Sequence, residues 1–315
     1  MVNNRKIIMD CDPGHDDAIA LIIAGAETSP LDIVAVTTVA GNQSVDKNTR
    51  NALNVLDIMQ RGDIPVSTGA DRPLIKESAF AESIHGETGL DGPQLPKNPK
   101  LKATGNHGVK VIVDEVLNSD EPITIVATGP LTNVAMALIQ EPKIAENIQE
   151  IVIMGGGTFG NWTPTAEFNI WVDGEAAKKV FNSGVPVVVF GLDVTHQLLG
   201  NDTIIERFNQ INNPVSQFVV ELLKFFKSTY KEQFDMDGGP IHDACTILYL
   251  LNPKIFTLQH TYIQIENQSP LTYGTMSVDL NHTYHQEPNA HFATAVDIEL
   301  AWNTMEKALR SYPSL

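Results

Sequence analysis

The sequence predicts an α/β protein: a single domain, residues 1–315, built on a mainly parallel, doubly wound sheet flanked by helices, with its active site at the C-terminal strand ends. Three observations predict this. Strand-like apolar runs alternate with helical patterns through the first two-thirds of the chain. Polar and glycine-rich turns fall directly after those runs, at the edge where ligands bind in open α/β sheets. No internal repeat, low-complexity tract or linker divides the 315 residues.

Lys6-Ile7-Ile8-Met9 reads as a buried strand, and Ala18 to Ala24 as the start of a helix. Between them lies Asp10-Cys11-Asp12-Pro13-Gly14-His15-Asp16-Asp17. Leu31–Val39 is strand-like and ends at Gly41-Asn42, Asn48–Gln60 is helical, and Ile64–Gly69 is a short strand. From about Ala70 to Asn106 the chain is rich in Pro, Gly and charge and has no period. A loop that long predicts a lid or binding segment. Val109–Leu117 reads as helix, and Ile123–Ala127 as a strand leading into Thr128-Gly129-Pro130 and a further helix. Ile151–Met154 ends in three glycines, Asp173–Asn182 is helical, and Val185–Phe190 is a strand. Helical patterns follow at Asp202–Asn212 and Ser216–Glu232. Gly238-Gly239-Pro240 reads as a turn before His242-Asp243 and an apolar helical run. Strands are expected at Thr261–Ile265, Thr275–Asp279 and His291–Val296, with a last helix over Leu300–Ser311.

Composition narrows the function. The formal charge is −17, which repels nucleic acid and anionic membranes and favours a neutral, polar small molecule. No apolar run is long enough to span a bilayer. The N-terminal Met1-Val2-Asn3 runs almost directly into the first strand, so no signal peptide is expected. Cys11 and Cys245 read as small buried side chains rather than a disulfide. Together these features point to the cytoplasm.

The acid turn is the chemical centre. Four carboxylates within eight residues stay ionised together only around a positive charge; otherwise they share protons. A divalent cation with oxygen ligands answers this most simply. An EF-hand fails, because the twelfth residue from Asp10 is Leu21 rather than Glu. A phosphate-cradling loop fails for lack of a Gly-rich run ending in Lys-Ser/Thr. A phosphatase of the Asp-x-Asp type remains an alternative, although Gly14 and the Asp16-Asp17 pair do not suit it. A non-catalytic binding protein on the same fold is the other. The downstream Asp243, alone, reads as a helix cap; beside a histidine and an uncompensated acid cluster it becomes a further metal ligand.

These pieces together resemble the inosine-uridine-preferring nucleoside hydrolase family. Its Asp-x-Asp-Pro-Gly-x-Asp-Asp signature is matched in full by Asp10 to Asp17. The similarity continues through Gly41-Asn42, His85-Gly86, Thr128 to Asn133, Met154 to Gly157, Ala166-Glu167-Phe168-Asn169 and His242-Asp243. The resemblance implies Ca²⁺-dependent hydrolysis of the N-glycosidic bond of ribonucleosides, giving ribose and a free purine or pyrimidine base for salvage. It implies that Asp12, Asp17, the Thr128 carbonyl and Asp243 hold Ca²⁺, with Asp12 also the general base and Asp10 a support. Asp16, Asn42, Glu167 and Asn169 would bind the sugar, with Asn161 and Met154 nearby. His242 would protonate the departing base or else orient Asp243. Phe226 and Tyr230, spaced i, i+4 on one helix face, would stack on the base or form a core stripe. His85 would reach the base or cap its loop, and Trp171 would meet the sugar or pack in the core. His15 fills a variable position with no chemical role expected. Family members are homodimers or homotetramers, and either is expected here.

Overall fold

The computed structural model describes residues 4–314; the expectation drawn from Met1-Val2-Asn3 lies outside them. The main sheet has eight strands: β1 (Arg5–Cys11), β2 (Leu31–Thr38), β3 (Val66–Thr68), β4 (Ile123–Ala127), β5 (Ile148–Met154), β6 (Val187–Phe190), β7 (Phe256–Thr261) and β8 (Ala290–Val296). Their order is β3-β2-β1-β4-β5-β6-β8-β7. Every pairing is parallel except that of β8 with the edge strand β7. The chain runs outward from β1 to β3, then returns to lay β4 on the other side of β1. This reversal opens a crevice at the C-terminal ends of β1 and β4, where such sheets bind ligands.

The principal helices are α1 (His15–Ala24), α2 (Val45–Ile58), α3 (Gly108–Asn118), α4 (Thr132–Gln140), α5 (Gly174–Phe181), α6 (Asp202–Asn209), α7 (Pro214–Phe234), α8 (Ala244–Leu251) and α9 (Ile298–Arg310). They cover both faces, so the strands are apolar on both sides. Along β1, Ile7, Met9 and Cys11 join the core shared with α1, α7, α8 and α9, while Ile8 joins the core under α3, α4 and α5. Helix α1 is buried along its whole length, which explains why its sequence shows no polar face. Asn213 and Ser216 cap α7 reciprocally, Pro214 opens it, and Asp235 closes it in the left-handed conformation at φ 54°.

Three sequence expectations change. The run Thr261–Ile265 is not one strand: β7 ends at Thr261, and Ile263–Ile265 pairs instead with Met276–Val278 in a separate hairpin. The long loop contains a short helix, Glu82–His85, too brief to leave a period. Gly239-Pro240 is not only a turn; it pairs antiparallel with Leu199-Gly200. Both cysteines are buried and free. Among the described residues no helix is long and apolar enough to cross a membrane.

Candidate active site

The turn after β1 is held by close backbone packing. A Cβ on Gly41 would sit 2.0 Å from Asp12 Oδ2, and one on Gly14 would sit 2.4 Å from His85 Nδ1. The glycines therefore let the turn and its neighbours close around the acids. Asp10 braces the strand ends below: its Oδ1 accepts from Thr37 Oγ1 at 2.6 Å and from Asn133 Nδ2 at 2.8 Å.

Asp16, Asp17 and Asp243 bring carboxylate oxygens within 4.8 Å of one another. Asp17 accepts from the Gly14 N–H at 3.0 Å, from Thr128 Oγ1 at 2.7 Å and from Asn42 Nδ2 at 3.2 Å. Asp12 lies beside this trio. Its Oδ2 accepts from the Asn42 N–H at 2.6 Å, while its Oδ1 is buried with no hydrogen-bond partner, as is Asp16 Oδ1. Burial, then the neighbouring acid charges, pushes Asp12, Asp16 and Asp243 well above the usual carboxylate range. Among the described residues no Lys or Arg lines the cavity. Hard oxygen donors, mutual repulsion and unpartnered oxygens are what a divalent cation satisfies, so the residues present fit one.

The cavity above the acids is lined by Asp16, Asn42, His85, Thr128, Met154, Asn161, Glu167, Asn169, Tyr230, His242 and Asp243, among others. Asp12 and Asp17 lie beneath this surface. Glu167 ends the short Phe168–Val172 helix at its N-terminus. It accepts from the N–H groups of Gly156, Asn169 and Ile170 at 2.9, 3.0 and 3.3 Å. Burial still pushes it up to about 7. Asn169 Nδ2 donates to the Thr128 carbonyl at 2.8 Å and to the Met154 carbonyl at 3.2 Å. Asn161 Oδ1 accepts from the Phe168 N–H at 3.0 Å.

On the opposite wall, His242 does not hydrogen-bond Asp243 through its ring. Its Nδ1 lies 2.8 Å from Thr195 Oγ1, and its Nε2 lies 2.8 Å from the Tyr230 hydroxyl. Burial holds His242 well below its usual range and holds the Tyr230 phenol well above its own. Tyr230 therefore keeps its proton at neutral pH.

The structure separates Phe226 from the cavity. Its ring is fully buried and packs on His15, His85 and the edge of Tyr230, so of the i, i+4 pair only Tyr230 lines the cavity. Trp171 also stays out of the cavity lining, stacking under the Lys76 ammonium at 3.1 Å from its ring centroid. Sequence reasoning missed Ser83, Ile84, Trp162, Gln233 and Phe234, which line the mouth, and Thr195. Gln233 and Phe234 stand three and four residues beyond Tyr230 on α7, a helical spacing that the sequence does carry.

A crevice at a topological switch point thus holds a buried trio of acids across one cavity from a hydroxyl–imidazole wall, the place where α/β enzymes bind small molecules. The chain belongs to the inosine-uridine preferring nucleoside hydrolase family, whose sequence model matches residues 7–303. It is 48% identical over 298 residues to a protein of Shewanella sp. (strain ANA-3) named pyrimidine-specific ribonucleoside hydrolase RihA, covering 93% of this chain and 92% of that one. It is 46% identical over 308 residues to the protein of that name from Salmonella schwarzengrund (strain CVM19633), covering 97% and 98%. Among solved structures it resembles a purine-preferring ribonucleoside hydrolase from Gardnerella vaginalis, with TM-score 0.90, 28% identity and 97% and 98% coverage. It also resembles the plant nucleoside hydrolase PpNRh1, with TM-score 0.89, 30% identity and 97% and 99% coverage.

Proposed function

We propose that this enzyme hydrolyses the N-glycosidic bond of ribonucleosides, with pyrimidine nucleosides preferred, in a Ca²⁺-dependent reaction that serves nucleoside salvage. The carrying observation is the sunken acid cluster facing the Tyr230–His242 wall across one cavity. The pyrimidine preference rests on the similarity to relatives named pyrimidine-specific; the sequence alone suggested purines and pyrimidines alike.

Asp12, Asp17, the Thr128 carbonyl and Asp243 are the proposed ligands, with Asp16 beside them. A bound Ca²⁺ would supply the positive charge that keeps these acids ionised together, hold the ribose diol and lower the pKa of a water. Cleavage builds positive charge on the ribosyl ring, as in other glycosidases. Asp16, Asn42, Glu167 and Asn169, all in the cavity lining, would bind the sugar and stabilise that charge. The unpartnered Asp12 Oδ1 accepts a proton from the attacking water as its oxygen bonds to C1′. The C1′–N bond breaks, and the base leaves with a proton from the His242–Tyr230 pair. The phenol hydroxyl, protonated and held by His242 Nε2, presents that proton. Positioned acid–base catalysis of this kind contributes about 10²–10⁴-fold.

Measuring kcat/KM for uridine, cytidine, inosine and adenosine, with and without chelator, tests the reading. Free base is expected from the pyrimidine nucleosides first, lost on chelation and restored by Ca²⁺. Phosphate release from a nucleotide without free base would favour the Asp-x-Asp phosphatase instead. Asp12→Asn is expected to lower kcat by about 10²–10⁴-fold; retained turnover would remove its role as base. We further propose a cytoplasmic homodimer or homotetramer, which light scattering on the eluted enzyme checks.

A further inference from the structure

We propose that His15 is a positioning residue, the joint that registers the base-facing wall of the cavity against the acid turn. His15 opens α1 within the acid signature and is fully buried. Two elements converge on its ring. From α7, Phe225 and Phe226 lie with centroids 5.1 and 5.2 Å away, each within 4° of parallel. From the long loop, the His85 ring stacks at 5.4 Å. The two Nδ1 atoms are 3.2 Å apart, and the His15 backbone N–H donates to His85 Nδ1 at 3.3 Å.

At the far side of the ring, His15 Nε2 donates to the Asp91 carbonyl at 2.8 Å. Asp91 in turn shapes the loop. Its carboxylate accepts from the N–H groups of Glu87 and Thr88, at 2.9 and 3.1 Å, and from the Thr88 hydroxyl. Gly86, Gly89 and Gly92 take φ of 78°, 86° and 116° around it. A Cβ on Gly92 would meet Phe225 Cβ at 2.9 Å, so loop and helix close on His15 together. Gln43, Lys47 and Asn51 hold other carbonyls of the loop, at Gly86, Glu87 and Thr88. His15 anchors the loop and also contacts the cavity-lining His85 and the aromatic stack of α7, while its own backbone belongs to the turn that carries Asp16 and Asp17.

This assignment rests on the nucleoside hydrolase reading and deepens it. His15 touches neither sugar nor base; it acts through His85 and the α7 wall. The wall meets the base, whereas ribose is held by the acids. Loss of His15 should therefore weaken recognition of the whole nucleoside more than recognition of free ribose.

The test compares the wild type with His15→Phe, which keeps a flat ring for the stack and loses the polar contacts of the side chain. KM for uridine is expected to rise by about tenfold to a hundredfold, while inhibition by ribose stays within about twofold. In a cycle with His85→Ala, the two losses should be clearly less than additive, because His15 acts in part through His85. The ¹⁵N shifts of the His85 ring should move in His15→Phe. An unchanged uridine KM, full additivity in the cycle, or equal weakening of ribose and uridine would each overturn the assignment. If His15→Phe fails to fold, His15→Gln replaces it under the same criteria. A wild type that releases no base would defeat the enzymatic reading instead, so the two failures are distinguishable.

Discussion

The hydrogen bonds of His242 shape what its substitution should do. Both ring nitrogens meet hydroxyls, those of Thr195 and Tyr230, so the ring holds the Tyr230 phenol rather than Asp243. His242→Ala should therefore cost more kcat/KM on uridine than on p-nitrophenyl riboside, whose leaving group needs no proton, by about 10²-fold or more. Equal losses on both would remove the acid role. Glu167 makes a second prediction. Burial pushes its carboxyl up from the usual 4.5 to about 7 in the folded protein. A raised folded pKa means that the folded state binds the extra proton in that interval. The contribution to stability is thus full below about 4.5 and is lost as pH rises through 7. Glu167→Gln should flatten this dependence, so its Tm should improve relative to the wild type between about pH 5 and 8. Parallel melting curves would read that difference. At this scale much was legible. The acid turn stood out by residue type, and Asn42, Glu167, Asn169 and His242, singled out by the family resemblance, line one cavity with Asp16. The side of α7 that Phe226 takes was not, because i, i+4 spacing gives a shared face without saying which of its rings reaches the cavity. Nor was Thr195, an ordinary helical residue whose role exists only through a partner 47 positions away.

Among the elements, the strands positioning the site are secured by two-sided burial. Phe190, the last residue of β6, is fully buried and packs edge-on against Phe256 at 4.7 Å and against Tyr249 at 5.6 Å. Phe190→Ala should lower stability by about 3–5 kcal/mol, measured as a shift in urea midpoint. An effect below about 1 kcal/mol would mean that this end of the sheet repacks freely. The core strands and helices were readable from period and length, since β-branched runs between turn residues and amphipathic stretches identify them. The short pieces were not. Glu82–His85, Phe168–Val172 and Leu192–Thr195 are single turns, shorter than any periodicity. Caps and contacts accompany them instead: Glu167 caps the second at its own N-terminus, and His85, the last residue of the first, packs on His15.

For the molecule as a whole, the acids of the site come from chain positions as far apart as Asp16 and Asp243. An ion that binds them in the folded state and not in the unfolded chain stabilises by mass action, about 2.7 kcal/mol at a hundredfold excess over Kd. Chelation should therefore lower Tm, and Ca²⁺ should restore it, in differential scanning calorimetry. No change in Tm on either step would argue against an ion in this cluster. The architecture itself was legible from strand–helix alternation. The sheet order was not, because nothing local says that β4 returns beside β1 rather than continuing past β3.

The acidic floor and the walls lent by the long loop and α7 are built from separate stretches of chain. Ser83, Ile84, Gln233 and Phe234 line the cavity from those walls, and none of them belongs to the Asp16–Asp17–Asp243 trio. Side chains there can therefore be exchanged, and the cavity reshaped, without disturbing the carboxylates beneath it.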